Sequence, residues 1–311
     1  MKNSIRYELS VMVHKKEFLL ALCAMMLFSL YALFYSVMLC NYDGDIKWLD
    51  FCLWSAEAYA LLDSFLSPGQ MFVYLFSFLV VLPHSMSYLN DRESGQFPLV
   101  LVRSGKRNYI CSKLIACFIG NFLIIAVPLL LNHLFCRISF SSAQNFMLIN
   151  GYGTESYAGS LSGDSFIVNL KYYPAEMFIE LFTKSTWLYM LLHIGIVSFL
   201  SGLFGVTLLG LSMAVGKFRF ILFVPVFVFF RFSSVVDSYL LNLAASDSSV
   251  KYTAVNPTDY ILTTTGSPLS PYYLPILILI SAAVCAALVF FGARGDRMLL
   301  GGGGTRRVKR K

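Results

Sequence analysis

Charge is scarce in this sequence. Only 13% of its 311 residues are Asp, Glu, Lys or Arg, about half the share of an ordinary soluble chain. Such a chain cannot clothe a globular surface with ionised groups. Histidine is scarcer still, with four residues (His14, His84, His133 and His193) scattered over different stretches. No His-Glu-x-x-His pair occurs, which excludes the commonest helical zinc-hydrolase arrangement. Ser104-Gly105-Lys106-Arg107 contains a Gly-Lys pair. Val100, however, stands where a phosphate-binding loop needs its first glycine, and Arg107 replaces the Ser or Thr that would meet the metal. Gly210-Leu211-Ser212-Met213-Ala214 lacks the closing glycine of a hydrolase nucleophile elbow. An enzyme is therefore not expected, and no cofactor or metal is expected on the chain itself. The seven cysteines are an odd number without metal or redox spacing.

What the sequence has in abundance is apolar residues, 57% of the chain, with a mean hydropathy of +0.68. Runs of about 20 apolar residues are long enough to cross a bilayer. Six are read, at about 17–40, 71–89, 110–132, 187–215, 219–236 and 272–292. Lipid offers the backbone no hydrogen bonds, so each run is expected to be helical. The fold class is all-α: a polytopic membrane protein in which 17–292 forms a six-span domain.

The net charge of +7 is distributed as topology requires, not as a nucleic-acid surface would need. The N-terminus, residues 90–113, the 216–219 turn and the C-terminal tail hold 18 of the 24 Lys and Arg. Asp and Glu run the other way, 5 against 12. The Lys/Arg bias places both termini in the cytoplasm. Residues 1–16 read as an amphipathic helix suited to the inner interface, and 293–311 as a basic cytoplasmic tail attracted to anionic lipid. The run after residue 16 is longer than a signal h-region and no cleavage site follows it, so the first span is expected to be retained.

The external loops carry most of the acid. Residues 41–70 hold Asp43, Asp45, Asp50, Glu57 and Asp63 and end in a Ser67-Pro68-Gly69 turn. The largest loop, 133–186, is rich in Gly, Ser and Tyr at its middle and carries Met177, Phe178, Leu181 and Phe182 at helical spacing. Cys40, Cys52 and Cys136 fall at or beyond the outer surface, where oxidising conditions permit a disulfide. Asn256-Pro257 starts a turn before the last span. No N-x-S/T site is free of a following proline, which fits a bacterial source and a cell-membrane location.

Four features lie within spans. Ser198 and Gly202 in span four form a small-xxx-small pair, which lets helices approach closely. Pro83 and His84 sit near the inner end of span two, where proline can kink a helix. Asn121 lies within span three. Arg231 is the one basic residue well inside a span, and counting from Arg219 puts it about 18 Å up, in the outer half. It can snorkel outward, pair with Asp237, or serve a translocation path.

Residues 88–113 carry the most specific signal. Asp91-Arg92-Glu93-Ser94-Gly95 closes span two, Phe97 to Val102 is apolar, and Arg103, Lys106, Arg107 and Lys113 lead into span three. Topology explains the basic residues. It does not explain six apolar residues between charged clusters, which need a surface to cover them. In the order Glu93, Gly95, Arg103, Tyr109, Lys113, with Asn256-Pro257 before span six, the chain resembles permease subunits of ABC transporters of the ABC-2 (type V exporter) class. The long 133–186 loop departs from many members of that class.

The resemblance implies an ATP-driven exporter whose ATP-binding subunit is a separate chain carrying ATP and Mg. Residues 91–107 would seat in a groove on that subunit, with Phe97 and Leu99 giving apolar contact and Asp91, Glu93, Arg103 and Arg107 fixing register. Spans two and five, bearing Tyr74, Ser77, His84, Tyr88 and Arg231, would face a path shared with a second permease copy or paralogue. Cargo would be peptide-like, amphipathic or lipid-like. The alternative is a non-transporting integral membrane protein, such as an immunity factor or an assembly scaffold.

Overall fold

The computed structural model describes residues 2–42, 68–82, 84–139, 186–215, 223–246, 256, 257, 260, 270 and 272–294. Every regular element among them is an α-helix. In chain order these are α1 (Lys2–Val13), α2 (Lys16–Tyr42), α3 (Pro68–Leu79), α4 (Ser87–Glu93) and α5 (Phe97–Ser104). They are followed by α6 (Lys106–Ser139), α7 (Thr186–Val215), α8 (Phe223–Ser246) and α9 (Tyr273–Arg294). The helices α2, α6, α7, α8 and α9 are long and apolar enough to cross a membrane. Residues 174–185, Cys52, Pro83, the side chains of Cys40 and Cys136, and the tail beyond Arg294 lie outside the described ones.

The expected second span is not one helix. α3 ends at Leu79 and α4 begins at Ser87, so neither piece is long enough to cross a core about 30 Å thick. Proline cannot donate a backbone hydrogen bond and clashes with the preceding turn, so Leu82-Pro83-His84 is a poor continuation of α3. The backbone freed by this break is shielded within the protein. Val80, Val81 and Ser85 are fully buried, and Ser85 Oγ lies 3.2 Å from Val80 O and 3.3 Å from Gly205 O, sharing its one proton between them. Irregular backbone at membrane depth survives only where protein covers it.

Aromatic packing holds the short α3 in place. Phe72 stacks on Phe28 of α2, and Phe76 meets Phe204 of α7 and Phe230 of α8 edge-on. Edge-to-face pairs add to the plain burial of their rings. The centre of the bundle is the α6–α7 pair, with α2 and α1 also on α6 and α9 on α7. Small residues bring α7 close: a Cβ on Gly202 would stand 2.8 Å from the Phe118 ring, and one on Gly205 would collide with the Asn121 amide. The expected Ser198/Gly202 surface is thus a packing surface. α2 is fastened to α6 reciprocally. Ser29 Oγ donates to Pro128 O at 3.1 Å, and Asn132 Nδ2 donates to Ser29 O at 3.0 Å.

Three boundaries differ from expectation in ways that matter. α6 has 34 residues, so at 1.5 Å each it is about 51 Å long and exceeds the bilayer core by roughly 20 Å. Its last two turns take the first seven residues of the expected 133–186 loop. α8 runs to Ser246, ten residues past the expected end at 236. Arg231 therefore lies nearer the start of its span than the finish, not in the part expected from the hydropathy profile. α1 does not reserve its apolar face for lipid. Ser4 bonds to Ser112, Glu8 meets Lys113, and Met12 fills the space a Cβ on Gly120 would need. The contacts advance together, so α1 lies along α6 in the same direction.

Candidate functional site

The first turns of α6 are where the chain concentrates its buried charge. Lys113 sits one turn above Tyr109 on α6 and is 1% exposed, although it is a lysine. Its Nζ donates to Asp91 Oδ2 of α4 at 2.9 Å and to Glu8 Oε2 of α1 at 3.3 Å. Tyr109 Oη donates to the same Asp91 oxygen at 2.9 Å, and the amine lies 5.2 Å from the centre of the Tyr109 ring. One amine thus ties three helices together. A buried amine costs several kcal/mol of desolvation unless charge and geometry compensate it, and here two carboxylates do.

His84, in the break between α3 and α4, approaches the cluster from the other side. Its Nε2 lies 3.6 Å from Glu8 Oε2, beyond good hydrogen-bond length. Burial alone would raise the affinity of Glu8 for a proton. The nearby His84 and Lys113 outweigh burial and hold its carboxyl below the ordinary 4.5. Lys15, at the α1–α2 turn, is shifted down by burial and by the charge of Lys113. Because the Glu8 value is lower in the folded chain, its contribution is complete above the ordinary carboxylate range and lost as pH falls through the folded value. Hydrogen exchange over 2–13 should show α1 less protected in Glu8→Gln than in the native chain at neutral pH. That difference should vanish only below pH 4.5. A difference unchanged down to pH 3, roughly an acid unit past the ordinary range, would contradict the clamp.

Beside the charges stands an aromatic stack. Phe97, the first residue of α5, lies edge-on between Tyr88 of α4 (5.7 Å) and Tyr109 of α6 (5.5 Å). The two turns flanking α5 are glycines with positive φ, Gly95 at 72° and Gly105 at 75°, conformations in which a side chain is strained. They let α4, α5 and the start of α6 fold back on one another between Ser87 and Lys113, about the charged cluster. The outcome is an α5 pinned at its base by Phe97, with Val100 and Leu101 partly buried against the core and its outer face open. Leu99 is 66% exposed and Val102 87%, with Arg103, Lys106 and Arg107 exposed beside them.

The residues expected to contact a partner therefore divide. Leu99, Arg103, Arg107 and Glu93 are exposed, and Gly95 shapes the turn. Phe97 turns inward, so Val102 takes its place on the outer face, and Asp91 is spent on Lys113 and Tyr109. The residues expected to line a path divide as well. His84 and Tyr88 are buried in or beside the charged cluster, and Ser77 is buried in α3. Tyr74 and Arg231 are brought together, the guanidinium lying 5.5 Å from the Tyr74 ring and 5.6 Å from that of Phe227.

Glu8 was not singled out by reading the sequence. The available signal was a carboxylate placed with Ser4 and Met12, four residues apart, on the buried face of a helix whose other charges are basic. Among the described residues no group of His, Cys, Asp and Glu is arranged to hold a metal ion. No protein-family model, curated protein or solved structure matches the chain.

Proposed function

We propose that this chain is the membrane-spanning subunit of an ATP-driven exporter, with both termini in the cytoplasm of a bacterial cell and with ATP hydrolysis carried out by a separate subunit. The observation that carries the reading is the construction of α5. A short helix has its first residue locked into the bundle and offers Leu99 and Val102 outward among Arg103, Lys106 and Arg107. Apolar residues so exposed beside basic ones fit a groove with an apolar floor and acidic rim. The same helix meets α6 through the Phe97–Tyr109 ring contact, and α4 just before it is tied to α6 through Asp91, Tyr109 and Lys113; α6 is continuous for 34 residues. A push on α5 is thereby delivered to a helix that crosses the bilayer and, through Lys113 and Glu8, to α1.

The resemblance of Glu93, Gly95, Arg103, Tyr109 and Lys113 to ABC-2 permeases agrees with this division of labour. A second permease copy or paralogue would complete the path, and the cargo would be amphipathic, peptide-like or lipid-like. The reading is tested by replacing Leu99 and Val102 with Asp in the full chain. An ATP-hydrolysing subunit captured by the native chain in mild detergent should be lost from the double variant, while α1 protection in hydrogen exchange stays unchanged. Capture that survives the double substitution would remove α5 from the interface.

A further inference from the structure

Arg231 is a cation in the wrong solvent. The stretch of α8 able to cross a membrane is Val224–Leu243, so Arg231 stands about 10 Å from one end and about 18 Å from the other. Charge at such depth is costly, and it faces protein, water or a counter-charge when it is retained. The close partners of Arg231 among the described residues are the faces of Tyr74 and Phe227. Rings offset part of the cost but carry no net charge. Asp237 lies six residues further along α8, about 9 Å higher and turned to another face of the helix.

The surroundings of Arg231 are apolar and open. Met71, Tyr74 and Phe78 form an exposed stripe on α3 at helical spacing, and Phe227, Val228 and Val235 form one on α8. α3 and α8 pack side by side through Phe76 and Phe230. The result is an apolar strip with one guanidinium in its course. A hydrocarbon body would find cover along the strip, and a negatively charged head would find Arg231. A neutral ligand would leave the cation unmatched, and a cationic one would be repelled by it. The two aromatic rings also hold the guanidinium in place, so little side-chain freedom is lost when an anion arrives.

We infer that the α3–α8 face around Arg231 binds an anionic amphiphile, a molecule with one negative group and a hydrocarbon body, with the guanidinium on the anion and the strip on the chain. In the exporter reading this names the class of cargo, but the binding itself needs neither ATP nor a partner.

The test uses the full chain in phosphatidylcholine nanodiscs, with empty nanodiscs as the partition blank and dodecanesulfonate as the probe. Saturable binding is expected, weakened about ten-fold or more by Arg231→Gln, because a charge-assisted contact of this kind is worth a decade or more in affinity. Arg231→Lys should retain most of it, and dodecyltrimethylammonium should bind no better to the native chain than to Arg231→Gln. Equal binding of dodecanesulfonate to the native chain and Arg231→Gln would overturn the inference, as would dodecyltrimethylammonium binding the native chain as tightly as dodecanesulfonate does. Cross-linking of two copies of the chain through Val228→Cys would overturn it too, since the strip would then be a contact between copies. Loss of partner capture with binding intact would sink the exporter reading and leave this one standing. The converse result would do the opposite.

Discussion

Replacing Lys113 with Met should cost about 3–5 kcal/mol of stability, the penalty for breaking a buried ion pair from one side. The cost is high because the amine serves two carboxylates at once. Its loss strands Glu8, whose side chain is 6% exposed, and Asp91, whose side chain is 18% exposed. Tyr109 still donates to Asp91, so the larger damage falls on α1. Unfolding in detergent micelles, followed by circular dichroism, would measure it. Adding Glu8→Gln and Asp91→Asn to Lys113→Met should recover part of the loss, because no charge is then left buried without a partner. A single variant as stable as the native chain within about 1 kcal/mol would mean that the cluster is solvated and holds nothing together.

The second large effect is expected at Gly205. An alanine there would drive its Cβ into the Asn121 amide, which is buried and bonded to Cys117 O at 3.0 Å. The carbonyl of the same residue accepts from Ser85 in the break of the second span. Gly205→Ala should therefore cost about 1–3 kcal/mol as overpacking, and it should loosen the α3–α4 break as well as the α6–α7 contact. Gly195 is the control. It lies on the same helix, and a Cβ there meets nothing within 4 Å. Gly195→Ala should gain up to about 1 kcal/mol from helix propensity. If both variants shift equally, the close approach of α7 to α6 is not what holds the centre.

Much of the fold was legible because hydropathy is a local property. α2, α6, α7 and α9 begin within about four residues of the positions that apolar runs imply. The division of span two into α3 and α4 was not legible, for the opposite reason. A hydropathy window averages across Val80 to Met86 and does not register that α3 ends at Leu79 and α4 starts only at Ser87. The end of α8 was misjudged because Asp237 lowers the hydropathy, yet neither Gly nor Pro follows before Ser246 to stop the helix. The charged cluster was the least legible part. Glu8 and Lys113 are separated by 105 positions, and only the fold brings them within 3.3 Å. Phe97 and Leu99 looked alike in sequence, as two apolar residues in one apolar stretch. The three-dimensional arrangement separates them, since Phe97 alone lies between Tyr88 and Tyr109.

The division between a buried base and an exposed face in α5 underlies the functional proposal, and a transporter subunit and a scaffold diverge most sharply there. A scaffold has no need to transmit force from α5 to α6. A permease needs both the exposed face and a link to α6, which α5 makes through Phe97 on Tyr109 and the adjoining α4 through Asp91 on Tyr109 and Lys113.

The most direct measurement is capture of the native chain at its natural expression level, in mild detergent, with the co-purifying proteins assayed for ATP hydrolysis. An ATP-hydrolysing subunit in stoichiometric amount, released when Leu99 and Val102 become Asp, is the result expected of an exporter. A chain that purifies without any such subunit, and whose cellular role is untouched by those two substitutions, would contradict it.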